Sequence, residues 1–153
     1  MIHWRHWLGS ALAALALAGG GNASAAPQTL RVQTAVPNSS MYFELMQRWG
    51  QRIEKMSGNR LKVEILPDGA VVAAFEILDA VDKGIVEGGY AWTQYWSGKH
   101  PAAGLFSNPI AGAGTGLDQL SHVAWLYEGG GNQLLDRFYH DVLKADVEVF
   151  MLQ

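Results

Sequence analysis

Between residues 29 and 92 the apolar side chains change their spacing repeatedly, from every second position to every third or fourth and back. Leu30, Val32 and, less clearly, Thr34 and Val36 alternate over residues 29–36, which predicts a first strand. Pro37-Asn38-Ser39-Ser40 reads as a turn, with Ser39 or Ser40 available to cap a helix. Tyr42, Leu45, Met46, Trp49, Ile53 and Met56 then recur at helical spacing over residues 41–57, and Gly58 closes the run. Leu61, Val63 and Ile65 alternate with Lys62 and Glu64 as a second strand, ended by Pro67-Asp68-Gly69. A second helix is predicted over residues 73–83, with Phe75, Leu78 and Val81 inward and Gly84 as its stop. Residues 85–92 supply a third strand. Strand, helix, strand, helix, strand is the order of an α/β domain with a mainly parallel sheet and helices on its faces.

A ligand on such a sheet sits outside the carboxyl ends of the strands. Two segments fall there: the turn over residues 37–41 and the aromatic stretch over residues 88–101. The second holds Tyr90, Trp92, Tyr95 and Trp96 among Gly, Ser and Pro. Those rings either pack a turn behind a short strand over residues 89–92 or form a surface for a small organic ligand. Trp and Tyr suit the latter because each joins an apolar face to one hydrogen-bonding atom.

The amino terminus has the order of a secretory signal peptide. Arg5, with His3 and His6, precedes an apolar run over residues 8–18, and Asn22-Ala23-Ser24-Ala25-Ala26-Pro27 follows. Cleavage is expected after Ala25, because the next bond would leave Pro27 first. The apolar run is about 11 residues, short of the roughly 20 that span a bilayer. Export with no membrane insertion after cleavage is therefore expected, and residues 26–153 form the exported chain. The chain has no cysteine, which excludes disulfides, thiolate metal sites and lipidation of a terminal cysteine. A net charge of −3 and the lack of any basic patch argue against nucleic acid and anionic membrane surfaces.

Beyond the aromatic stretch, residues 101–114 read as a connection rich in Gly and Ala. Thr115-Gly116-Leu117-Asp118 has capping-box spacing and predicts a helix carrying Leu117, Leu120, Ala124 and Tyr127. A further helix over residues 133–143 presents Leu134, Leu135, Phe138 and Val142. Residues 145–152 read as a strand with Val147 and Val149 on one face. Gln153 follows at once, so a truncated domain is expected.

No catalytic constellation assembles from these residues. His100, His122 and His140 lack metal-ligand spacing, and no nucleophile elbow or complete phosphate loop occurs. Gly112-Ala113-Gly114-Thr115-Gly116 reads as a plain turn, His122 as a packed or surface residue, and Asp79 and Asp82 as solvated carboxylates on an exposed helix face.

Read together, the motifs form an ordered set. It runs from strand–Pro-x-x-Ser–helix to Leu61-Lys62-Val63-Glu64-Ile65-Leu66-Pro67-Asp68-Gly69-Ala70. Ala73-Ala74-Phe75-Glu76-Ile77-Leu78-Asp79-Ala80-Val81, Tyr95-Trp96-Ser97-Gly98-Lys99-His100-Pro101-Ala102 and Trp125-Leu126-Tyr127-Glu128-Gly129-Gly130-Gly131 follow. This set resembles the extracytoplasmic solute-binding subunits of tripartite ATP-independent periplasmic (TRAP) transporters. It is most similar to the branch associated with 2-oxo acids, lactate and related monocarboxylates. The resemblance implies a periplasmic-binding-protein-like fold of two α/β lobes closing on a ligand, of which residues 26–153 are the first. It also implies a membrane permease as partner, driven by a sodium gradient, and no enzymatic activity.

Carried over by position, the first-lobe wall is Ser39, Ser40 and Met41 of the turn, Phe75, and the group Trp92, Gln94, Tyr95 and Trp96. Tyr95 is expected to hydrogen-bond a ligand oxygen, with Trp96 and Phe75 as apolar walls. The resemblance places the carboxylate-binding arginine and the metal ligands of this branch in the second lobe. No cofactor or metal is therefore assigned to residues of this chain. Pro109-Ile110-Ala111-Gly112 departs from the Pro-Phe-Gly of relatives. Two other classes remain. A small exported interaction module would work as it stands, as a dimer burying the last strand; a periplasmic enzyme rests only on scattered His and Asp.

Overall fold

The computed structural model describes residues 26–107 and 117–150. The expected signal peptide, the turn over residues 112–116 and the departure at residues 109–112 lie outside the described residues. Among the described residues no helix is long and apolar enough to cross a membrane.

Three strands form one parallel sheet: β1 (Gln28–Thr34), β2 (Leu61–Leu66) and β3 (Gly88–Tyr90), in the order β2-β1-β3. The third strand is shorter than its apolar run. It meets only the carboxyl end of β1, from Val32 to Thr34, so three residues find ladder partners. Val86, just before it, is instead buried beneath the sheet's edge and donates its N–H to Ala80.

Helix α1 (Met41–Met56) crosses from β1 to β2, and α2 (Ile77–Asp82) crosses back from β2 to β3. Two right-handed crossovers in opposite directions put their helices on opposite faces. The glycines record this. Gly50 of α1 lies against Val63 and Ile65, where a Cβ would sit 3.2 Å from Val63. Gly89 of β3 lies under α2, where a Cβ would clash with Ile77. Its neighbour Gly88 points the other way, toward Val32, as strand alternation requires.

The second helix differs from its expected form. A 3-10 turn, Ala74–Glu76, precedes α2, and the tighter winding turns Phe75 outward. Ile77, Leu78 and Ala80 face the core, Val81 is half-buried, and Phe75 is 66% exposed. Nor are Asp79 and Asp82 merely solvated. Asp79 accepts both Lys99 Nζ contacts at 2.8 and 2.9 Å, and Asp82 accepts the Asp146 N–H at 2.8 Å.

The connection after the aromatic stretch is ordered as a 3-10 helix, Pro101–Phe106, whose first turn is capped by His100 Nδ1 accepting from the Ala102 N–H. Helix α3 (Gln119–Glu128) is capped by Asp118 itself: its carboxylate takes the Ser121 N–H and hydroxyl. Those bonds hold the Asp118 carboxyl below its usual range. The apolar stripe expected to face inward does not. Leu117, Leu120 and Tyr127 are exposed, whereas His122 and Leu126 are buried. Helix α4 (Gly131–Arg137) runs on as a single π turn, Phe138–Val142. It buries Leu135, Phe138 and Tyr139 and leaves Leu134 and Val142 exposed. Residues 145–150 keep the expected alternation, with Ala145 and Val147 buried and Val149 half-buried, but form no strand pairing. The main core gathers Ile77, Leu78, Trp96, Ala103, Phe106, Leu135, Phe138 and Tyr139 beside the α2 face of the sheet.

Candidate functional site

The carboxyl end of β1 is the structural hub of the candidate site. Thr34 and Gln33 are fully buried there. On one side Ala35 N–H donates to Tyr90 at 2.9 Å, which holds the start of the aromatic stretch. On the other, Thr34 Oγ1 donates to Leu66 at 2.9 Å and Asp68 N–H to Val36 at 2.9 Å, which holds the loop after β2.

Ser40, rather than Ser39, is the N-cap of α1, and its hydroxyl accepts the Tyr42 N–H at 3.2 Å. That cap aims the first turn of α1 at the aromatic stretch. The Tyr42 ring meets Trp92 edge to face at 5.6 Å. Trp92 in turn meets Tyr90 at 5.7 Å and Tyr95 at 5.9 Å. Tyr95 meets Phe75 at 4.9 Å. The result is one continuous row of rings, Tyr42–Trp92–Tyr95–Phe75, flanked by Tyr90. The two edge-to-face contacts, Tyr42–Trp92 and Trp92–Tyr95, are each worth about 0.5–1.5 kcal/mol beyond burial and help the row hold its geometry.

The predicted site residues divide. Phe75, Trp92 and Tyr95 lie in the row; Met41 and Gln94 are exposed beside its members in the chain, and Ser39 lies in the exposed turn. Ser40 has its hydroxyl committed to the helix cap. Trp96, expected as an apolar wall, is instead 4% exposed, and its indole N–H donates to the Tyr139 hydroxyl at 2.7 Å. It backs the row from within the core and presents no face to a ligand. Burial pushes the Tyr139 phenol up to about 12, so it stays a neutral partner for Trp96. Tyr42 was missed, because its helical spacing marked it as core. Its place in the first turn after a capping serine was the available signal.

The row carries no net charge. Lys99, which follows it, is paired with Asp79. Arg31 is paired with Glu87 at 2.9 Å, and that guanidinium holds the Glu87 carboxyl down at about 2. Burial raises the Tyr90 phenol above its ordinary value. Among the described residues no cluster of three His, Asp or Glu side chains could hold a metal ion. Such a surface can cover apolar groups and offer phenol and amide hydrogen bonds, but it cannot neutralise a carboxylate. A shallow depression of about 150 Å³, lined by Gln47, Gln51, Val63 and Ile65, lies between α1 and β2, away from the rings. It is smaller than the ~300 Å³ at which ligand pockets begin.

Residues 32–145 match the bacterial extracellular solute-binding proteins, family 7. The chain belongs to that family. Family 7 proteins are transport receptors, not enzymes. This family 7 chain is 32% identical over 109 residues to a monocarboxylate 2-oxoacid-binding periplasmic protein of Nostoc sp. (strain PCC 7120), covering 71% of this chain and 29% of the relative. It is similar in structure to a TRAP periplasmic solute-binding protein from Rhodobacter sphaeroides in an apo open form. There the TM-score is 0.63 and the identity 27%, with 71% of this chain and 34% of that one covered. A TRAP solute-binding protein from Pseudoalteromonas atlantica, solved with sodium and pyruvate, shares the fold at a TM-score of 0.65 and 24% identity, over 75% of this chain and 34% of that one. The chain thus spans about a third of the length of the proteins it matches. The α/β fold with a parallel sheet is that of one lobe.

Proposed function

We propose that this chain supplies one wall of the ligand cleft of a TRAP-type periplasmic solute-binding protein. The ligand is a small organic acid, a 2-oxo acid or a lactate-like monocarboxylate, and the receiving partner is a membrane permease. Residues 1–25 direct export, and residues 26–153 are the first lobe. The observation that carries the reading is the continuous ring row, Tyr42–Trp92–Tyr95–Phe75, at the carboxyl edge of a parallel sheet. Its agreement with the family match and with the Nostoc relative's 2-oxo acids supports the choice of ligand.

In this reading Phe75 and Trp92 cover the apolar part of the acid. Tyr95 and Gln94 hydrogen-bond its oxygens, and the turn of Ser39, Ser40 and Met41 closes one end. The carboxylate charge is met by an opposing lobe. One wall alone leaves the ligand wet and its charge unpaired, so this chain binds weakly. Calorimetry with pyruvate or lactate is expected to detect no micromolar binding; finding it would overturn the one-wall account. Amide and side-chain NMR at millimolar pyruvate tests the wall itself. Shift changes are expected at Trp92, Gln94, Tyr95 and the first turn of α1. Changes confined to the depression at Gln47 and Gln51 would sink the reading.

A further inference from the structure

Gln33 is a polar side chain with 0% exposure in a strand, and every hydrogen-bonding atom of its amide is used. Nε2 donates to the Pro67 carbonyl at 2.6 Å and to the Thr34 carbonyl at 3.0 Å. Oε1 accepts the Val71 N–H at 3.0 Å. The partners fix the orientation of the amide, since only the nitrogen can serve two carbonyls and only the oxygen can serve an N–H. The two ends of the loop over residues 67–71 are therefore tied to one buried side chain. Only Val72, Ala73 and Ala74 separate the second tie from Phe75, and Ala73 N–H is itself held by the Glu76 carboxylate at 3.3 Å.

We propose that Gln33 is a positioning residue for the aromatic wall: it clamps the loop over residues 67–71 and so sets where Phe75 meets Tyr95. Its importance for ligand capture rests on the wall reading above. The clamp needs a donor and an acceptor on one neutral, buried group. An apolar residue of similar volume fills the space but leaves the Pro67 carbonyl and the Val71 N–H without these partners. Glutamate keeps an acceptor oxygen for Val71, and desolvation holds a buried carboxyl neutral, with its one proton to give Pro67; only the local bond to the Thr34 carbonyl is lost.

Hydrogen exchange and ring-to-ring NOE measurements on the whole chain test this. In the parent, the Val71 amide is expected to be protected although its side chain is exposed; a freely exchanging Val71 amide would overturn the clamp. In Gln33→Met, Val71 protection should fall about ten-fold more than protection in α1 or α4, and the Phe75–Tyr95 NOEs should weaken. Gln33→Glu should retain both signals. A fall shared equally by all amides, or unchanged Phe75–Tyr95 NOEs in Gln33→Met, would reduce Gln33 to an ordinary core residue and overturn the proposal. Should Gln33→Met not fold, the parent's Val71 exchange and the Gln33→Glu signals decide. A millimolar pyruvate titration of the parent separates the two ideas. No response at Trp92 and Tyr95 removes the ligand wall, whereas the clamp stands or falls on Val71 and Phe75.

Discussion

In the sheet half of the molecule, α1 lays Phe43, Met46 and Gly50 against the strands. In the helical half, α3 turns Leu120 out at 79% exposure and buries His122 at 4%. Both helices carry apolar residues at helical spacing, so spacing alone does not choose the buried face. A parallel sheet is a broad apolar surface laid down by the same stretch of chain, and α1 has few ways to dock on it. Helix α3 has no sheet beneath it. Its inward face is set by what α4 and the 3-10 segment before it present, namely Phe106 stacked on Trp125 at 6.2 Å and the close approach of Gly131 to Leu126.

The sharpest test of this contrast compares two leucines six positions apart. Leu126→Ala, at 1% exposure, should lower stability by about 2–5 kcal/mol, whereas Leu120→Ala should change it by less than about 0.5 kcal/mol. Urea denaturation of both variants reads the difference directly. Equal losses would mean that the stripe of Leu117, Leu120 and Tyr127 is the true inner face.

On the sheet side, Gly89→Ala should lower stability by about 1–3 kcal/mol, because the new methyl would clash with Ile77 and lift α2 from β3. Thermal unfolding that matches the parent would show that α2 does not rest on β3.

A smaller gain is expected at the seam between the halves. The Thr93 hydroxyl, beside Trp92, is buried with no hydrogen-bond partner among the described residues, so Thr93→Val should raise the unfolding free energy by about 1 kcal/mol. A loss in denaturant midpoint would indicate a partner for that hydroxyl.

The smallest effect concerns pH. The Glu87 carboxyl titrates at about 2 when folded, below its ordinary 4.5. Its pairing with Arg31 therefore contributes fully above pH 4.5, and that contribution is lost as the pH falls toward 2. Both side chains are well solvated, so the effect on stability is modest. Carbon-detected NMR should place the parent midpoint near 2, and Arg31→Met should return it toward 4.5. A midpoint at 4.5 in both would dissolve the pair.

Much of the candidate site was legible before the tertiary structure. The turn at Ser40 and the cluster of Trp92 and Tyr95 follow from caps, glycines and the carboxyl-edge rule. Trp96 was not legible as a core residue, because its burial depends on Tyr139, far along the chain. Tyr42 was not legible as a site residue, because a first-turn tyrosine reads as core until Trp92 is known to lie beside it. The Gln33 clamp was invisible for a related reason: a glutamine within a strand pattern carries no sign of a loop folding back onto it.

The sequence by itself determined the strand–helix order as far as β3, a helix cap at one of Ser39 and Ser40, and the stops at Gly58 and Gly84, because these depend on neighbours a few residues away. Only the tertiary structure decided which sides of α1 and α3 are inner, with Tyr42, Leu45 and Met56 of the α1 stripe exposed, that Phe75 faces out while Trp96 faces in, and that Asp79 and Asp82 hold distant segments. Each of those outcomes is set by contacts between residues remote in the chain. The energy of such a contact resides in the pair and leaves no mark on either residue's local pattern.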